Sequence, residues 1–253
     1  MEKISKAQVK MVRSLQQKKF RDELGLFVAE GRKCVEELSK AFELVLRIDE
    51  TNATRTEIEQ MSGLRTPQGV IGVFKKKPIE DCKLETGGLT LALDGIQDPG
   101  NLGTIIRTCD WFGIDEIVCS LDTADCYNPK VVQATMGSLA RVHIHYVDLP
   151  KWLSNIKHQT SNIAIYGTLL EGRNMYEVLK EQPLAGNRSP LIIVMGNEGN
   201  GISEPVRRLI MHPIRIPSCP HVGSEAVHDD LGQPESLNVA IATAIVLAEF
   251  KRP

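Results

Sequence analysis

Leu191-Ile192-Ile193-Val194-Met195 runs without a break into Gly196-Asn197-Glu198-Gly199-Asn200-Gly201. Five consecutive apolar residues with no alternation suit a strand covered on both faces, and such strands belong to parallel sheets. Runs of strand length recur at Leu89–Leu93, Glu116–Cys119, Val142–Val147, Ile163–Tyr166 and Ile214–Ile216, with helix-length segments between them. The pattern predicts an α/β domain from residue 89 to residue 253. Ligands of such sheets bind where loops leave the carboxyl ends of the strands. The chemistry is therefore sought directly after each apolar run.

Three segments answer that rule. The glycine loop after Met195 has the order GxxGxG, which is neither the Rossmann GxGxxG nor a Walker A loop, since no Gly-Lys-Ser/Thr follows. Its three glycines permit close backbone approach to a ligand. Glu198 would repel a phosphate there and suits a cation or a hydroxyl donor better. The second segment follows Leu93 and runs from Asp94 through Pro99-Gly100 to Asn101, Gly103 and Arg107. Asn101 is the expected helix N-cap, with Arg107 in the second turn, one turn beyond a side-chain-free Gly103 where a backbone or phosphate has room to approach. The third runs from Ile214-Arg215-Ile216-Pro217 through a polar loop to Ser236-Leu237-Asn238. Ser236 is the expected N-cap of a helix reaching Phe250. That helix has almost no polar face, so it must be buried, and a second subunit is the economical cover.

The first 80 residues read as a separate small α/β unit, with a linker at 81–88. Charge divides along the same line. Residues 1–80 carry 16 Lys and Arg against 12 Asp and Glu, and the rest carry 14 against 20. Lys10, Arg13, Lys18, Lys19 and Arg21 lie in a basic arm that suits a polyanion, while a solvated surface helix is the plainer alternative. The apolar stretch Leu237–Phe250 contains Asn238 and Glu249 and falls short of the roughly 20 residues that span a bilayer. No secretory h-region opens the chain, and the six cysteines form no CxxC pair. A reducing, cytoplasmic setting is the expectation, with no membrane partner.

Taken together, Asn101-Leu102-Gly103-Thr104-Ile105-Ile106-Arg107, the segment 193–203, and Ile216-Pro217 with Ser236-Leu237-Asn238 resemble the three motifs of the SpoU (TrmH) family of SPOUT-class RNA 2′-O-ribose methyltransferases. More loosely, Lys18-Lys19-Phe20-Arg21, residues 27–31 and residues 66–70 resemble the L30e-like substrate-binding domain of larger members. The resemblance implies a parallel sheet with helices on both faces and a deep trefoil knot. It implies S-adenosylmethionine as cofactor and a homodimer with the active site at its interface. It places Thr168, Gly196, Asn197, Gly199, Ile216, Pro217 and Leu237 at the cofactor. Asn101, Arg107, Glu198, Ser236 and Asn238 would form the catalytic cluster, and the basic arm would hold RNA.

Methyl transfer to a ribose hydroxyl is an in-line displacement that needs positioning above all. Arg107 is a poor base in isolation, with a pKa above about 12. A clamp on the target phosphate and the developing alkoxide suits it, whereas the family is described with this Arg as proton acceptor; both roles stay open at this point. The chain departs from the family in the long insertion Ser218–Glu235. Cys219, His221 and His228 lie in it, but their spacing fits no standard zinc pattern, and no metal is expected. The substrate expected is RNA, ribosomal 23S RNA first. Transfer RNA, or a non-catalytic RNA-binding role, is the alternative.

Overall fold

Ser5 opens the regular structure with a capping box. Its hydroxyl accepts the Gln8 N–H, and the Gln8 side chain accepts the Ser5 N–H, at the start of α1 (Lys6–Ser14). The computed structural model describes residues 3–78, 88–160, 162–181, 190–218 and 236–252. The expected linker and most of the 218–235 insertion, including Cys219, His221 and His228, lie outside the described residues. Two compact units partition the chain. One gathers residues 1–82, 97–117 and 123–145, the other residues 83–96, 118–122 and 146–253.

In the first unit, α2 (Lys18–Leu24) leads through Gly25, at φ +64°, into β1 (Leu26–Glu30). Helix α3 (Arg32–Leu38), β2 (Leu44–Ile48), α4 (Arg55–Met61) and β3 (Ile71–Lys75) follow. The three strands form an antiparallel sheet in the order β1-β3-β2. Val12 and Leu15 from α1, Ile58 and Met61 from α4, and Val28, Ile48, Ile71 and Val73 from the sheet make one buried cluster. Removing such side chains from water is the main driving force for the unit.

Arg21 departs from the expectation of a solvent-facing cation. It falls on the inner side of α2 and is only 1% exposed. Its Nη2 and Nε donate to Asp125 Oδ2 at 2.7 and 3.2 Å, and its Nη1 donates to the carbonyls of Leu15 and Gln16, both at 3.0 Å. A guanidinium this buried, with four of its five N–H groups committed inside the protein, is out of reach of an RNA phosphate, so Arg21 is a structural residue. Lys10, Arg13, Lys18 and Lys19 do face solvent.

Helix α5 (Pro99–Trp111) also starts elsewhere than expected. Asp98 is the N-cap, its Oδ1 accepting the Asn101 N–H at 2.8 Å, with Pro at the first helical position. Asn101 therefore lies inside the first turn, and Arg107 begins the third. Gly103 is buried against α6 (Pro129–Thr135). A Cβ on Gly103 would stand 2.8 Å from the Val131 carbonyl oxygen, so its missing side chain serves helix packing and leaves no room for a ligand. The far end of α5 is anchored by Asp110, whose carboxylate receives Arg141 Nε at 2.9 Å and Nη2 at 2.7 Å, while Arg141 Nη1 reaches Glu37 at 2.8 Å. Arg141 holds the Asp110 carboxyl below the usual carboxylate range.

All six apolar runs are strands: β4 (Leu89–Asp94), β5 (Glu116–Ser120), β6 (His143–Val147), β7 (Ala164–Asn174), β8 (Leu191–Gly196) and β9 (His212–Arg215). Their order is β6-β5-β4-β8-β7-β9. The pairs β4/β8, β7/β8 and β7/β9 are parallel. In the second unit they are accompanied by α7 (Leu149–Gln159), α8 (Met175–Glu181), α9 (Glu204–Arg207) and α10 (Val239–Phe250). The N-cap of α10 is Asn238, not Ser236. Its side-chain oxygen accepts the N–H groups of Ala240 and Ile241 at 3.0 and 3.3 Å. Val239, Ala240, Thr243, Val246, Leu247 and Phe250 are buried and Ile241 is 55% exposed, so among the described residues only one side of this apolar helix is covered. Among the described residues no helix is long and apolar enough to cross a membrane.

Arg21→Ala leaves Asp125, a side chain only 12% exposed, without its partner. The expected loss is about 3–5 kcal/mol, with a much smaller loss when Asp125 is replaced together with it. Urea unfolding of the two single variants and the double variant measures this, and a single-variant loss under about 0.5 kcal/mol would contradict the buried pair.

Candidate active site

The parallel register sets Asp94 opposite Gly196, so β4 and β8 end side by side. The chain then turns through the glycine loop, and one side chain holds that turn. Asn197 Oδ1 accepts the N–H groups of Gly199 and Asn200 at 2.8 and 3.1 Å, and its Nδ2 donates to the Gly95 carbonyl at 2.6 Å. The main chains of Asn197 and Gly201 exchange two hydrogen bonds of 2.9 Å. The Asn197 side chain is thus committed inside the loop, and only its neighbours face outward. Glu198, Gly199, Asn200 and Gly201 are exposed.

Two glycines here are required by close main-chain approach. A Cβ on Gly196 would collide with the main chain of Gly201 and Ile202, and one on Gly172 with the main chain of Ile214. The second collision follows from an irregular β7. Thr168 and Arg173 both pair with Ile214, so residues 169–172 are carried out of the ladder. Thr168 Oγ1 donates to the Val194 carbonyl at 3.4 Å. Ile216 and Pro217 follow β9 and are half-buried, while Ser236 and Leu237 are exposed just before α10.

Sequence reasoning missed the support beneath this loop. Asp94 Oδ2 accepts the Ser203 N–H at 2.7 Å and so fixes the far end of the glycine turn. Gly95, at φ +73°, donates its N–H to Ser120 Oγ at 2.8 Å, and Ser120 donates to Asp122. An aspartate ending an apolar run was the available signal.

Thr168, Gly196, Asn197, Glu198, Gly199, Ile216, Pro217, Ser236, Leu237 and Asn238 all belong to the second unit. Asn101 and Arg107 stand on α5 of the first unit. Arg107 is exposed and has no ion pair or hydrogen-bonding partner for its side chain among the described residues. Among the described residues no three potential metal ligands cluster.

The donor set around the glycine loop suits S-adenosylmethionine. From Gly196 to Ser203 the loop has one carboxylate and no Lys or Arg, so a sulfonium cation meets no repulsion there.

Comparison with known proteins agrees with this geometry. The sequence profile of the SpoU rRNA Methylase family matches residues 88–228, and that of the MRM3-like substrate binding domain matches residues 6–47. The chain is 29% identical to the 23S rRNA (guanosine(2553)-2′-O)-methyltransferase RlmP of Bacillus subtilis, covering 96% of this chain and 95% of that protein. Among solved structures, a TrmH-family protein from Porphyromonas gingivalis superposes with a TM-score of 0.84 at 35% identity, covering 98% of both chains. An AdoMet-bound rRNA methyltransferase from Sinorhizobium meliloti superposes at 0.82 with 29% identity, covering 100% of this chain and 97% of that one. The family profile spans more than half of the 253 residues and covers the glycine loop together with the Arg107 helix, and the chain belongs to the SpoU rRNA methylase family.

Proposed function

We propose that the protein is an S-adenosylmethionine-dependent RNA methyltransferase that methylates the ribose 2′-hydroxyl of a nucleotide in 23S ribosomal RNA. The observation that carries this reading is an exposed Arg107, unpaired among the described residues, in a chain whose glycine loop is built on main-chain contacts and lacks any cation. Relatives along nearly the whole length, such as RlmP, are named for the same reaction.

S-adenosylmethionine would supply an activated methyl group. The loops of Thr168, Gly196–Gly199, Ile216-Pro217 and Leu237 would hold it. The protein's own task is then to position an unreactive hydroxyl and to accommodate the charge that develops on it. Arg107 clamps the phosphate of the target nucleotide and stabilises the alkoxide. Asn101, Ser236 and Asn238 orient the substrate, and Glu198 steadies the loop. We read the chain as an RNA-binding domain over residues 1–80, a linker at 81–88 and a methyltransferase domain over 89–253 closed by a deep trefoil knot. We place the enzyme in the cytoplasm as a homodimer whose active site lies at the subunit interface. The exposed Ile241 and Leu237 support this, since a second copy would cover them.

Arg107→Ala is expected to lower turnover by about 10²–10³ or more while S-adenosylhomocysteine binding, measured by calorimetry, stays unchanged. Near wild-type turnover on 23S RNA would refute the assignment. Lys18 and Lys19 replaced together by Ala should flatten the salt dependence of RNA binding by roughly one to two units of log–log slope. Equal slopes would make the arm a solvated helix. Light scattering should give twice the 28.0 kDa of the chain, and an active monomer would remove the interface site.

A further inference from the structure

Trp111, the last residue of α5, is 85% exposed. The helix is otherwise amphipathic in the ordinary sense. Leu102, Gly103, Ile105, Ile106 and Cys109 are buried, and Thr104, Arg107 and Trp111 face solvent, with Thr108 half-buried beside them. These four outer residues recur at three- and four-residue spacing, so they form one stripe. The indole therefore stands one turn beyond the Arg107 guanidinium, with their Cβ atoms about 5–6 Å apart by helix geometry.

The rest of the stripe is polar and carries no anion of its own. Thr104 and Thr108 donate their hydroxyl protons to the carbonyls of Gly100 and Thr104 at 2.8 and 2.9 Å. Asp110, the nearest carboxylate in sequence, is bound by Arg141 and does not oppose a phosphate at Arg107. An apolar protein surface docked here would have to bury an arginine that has no ion pair among the described residues, at a desolvation cost. A cation beside an exposed aromatic ring is instead the pairing that holds single-stranded nucleic acid, the cation taking the phosphate and the ring stacking on a base.

We infer that Trp111 stacks on an unpaired base of the RNA next to the phosphate held by Arg107, and so adds to the grip on the RNA. This rests on the reading of Arg107 given above. Trp111 is then a specificity and binding residue that does not touch the transferred methyl group.

The chain has two tryptophans, and the other, Trp152, is half-buried in α7. Trp152→Phe in the full-length enzyme leaves Trp111 as sole indole emitter. An unmodified 23S RNA transcript should quench that emission. Trp111→Ala should raise the RNA KM by roughly five- to hundred-fold. Its kcat should stay within about twofold and its S-adenosylhomocysteine affinity unchanged. Trp111→Phe should recover most of the loss, because a second aromatic ring still stacks. Unchanged emission and an unchanged KM would overturn the inference. So would loss of the dimer in Trp111→Ala by light scattering, which would assign the ring to a second copy of the chain. An enzyme that methylates no RNA, yet whose Trp111 is quenched by the transcript, would refute the proposed function and leave the stacking site standing.

Discussion

Everything in the candidate cofactor site depends on main chain packed against main chain after the parallel strands. Gly196 lies on the Gly201–Ile202 backbone and Gly172 on that of Ile214, at separations that exclude any Cβ. Packing of this kind buries peptide groups, and buried peptide groups must be paired. Asn197 meets much of that demand, with its amide closing the turn from inside and fastening it to Gly95. Asp94 does the same for the Ser203 N–H. The loop is therefore held from inside by polar side chains, while Gly199 and Gly201 alternate with Glu198 and Asn200 on its outward face.

The sheet was legible in the sequence because a buried parallel strand leaves a simple record, a continuous apolar run. The ends of elements were less so. Asn101 and Ser236 both looked like caps, yet Asp98 and Asn238 do the capping. Cap-forming residues sit close together in both segments, and side-chain chemistry alone does not choose among them. Gly103 was legible as a close approach but not for its partner, since a sequence does not say that α6 lies there. Arg21 was misread for a related reason. A count of charges treats every cation as exposed, whereas a helix turns one in three or four inward. Asp125, over a hundred residues away, could not be paired with it by any local rule.

Two kinds of residue would carry the proposed reaction. Glycines and the strand ends supply shape and are fixed by the fold. Arg107 on α5 supplies charge and faces solvent. The division is reasonable for a methyltransferase, whose small molecule is the same in every turnover and whose RNA must come and go.

The burial of Arg21 has a consequence for how RNA would be met. Its four hydrogen bonds tie α2 to the protein interior, so Lys18 and Lys19 stand on a helix that is already fixed in place. A loose basic tail loses backbone freedom when it settles on a phosphate chain; this helix has lost that freedom during folding. Only the lysine side chains remain to be ordered. The encounter with RNA would then be closer to the docking of a shaped surface than to the wrapping of a tail, and its geometry would discriminate between RNA folds as well as between charges.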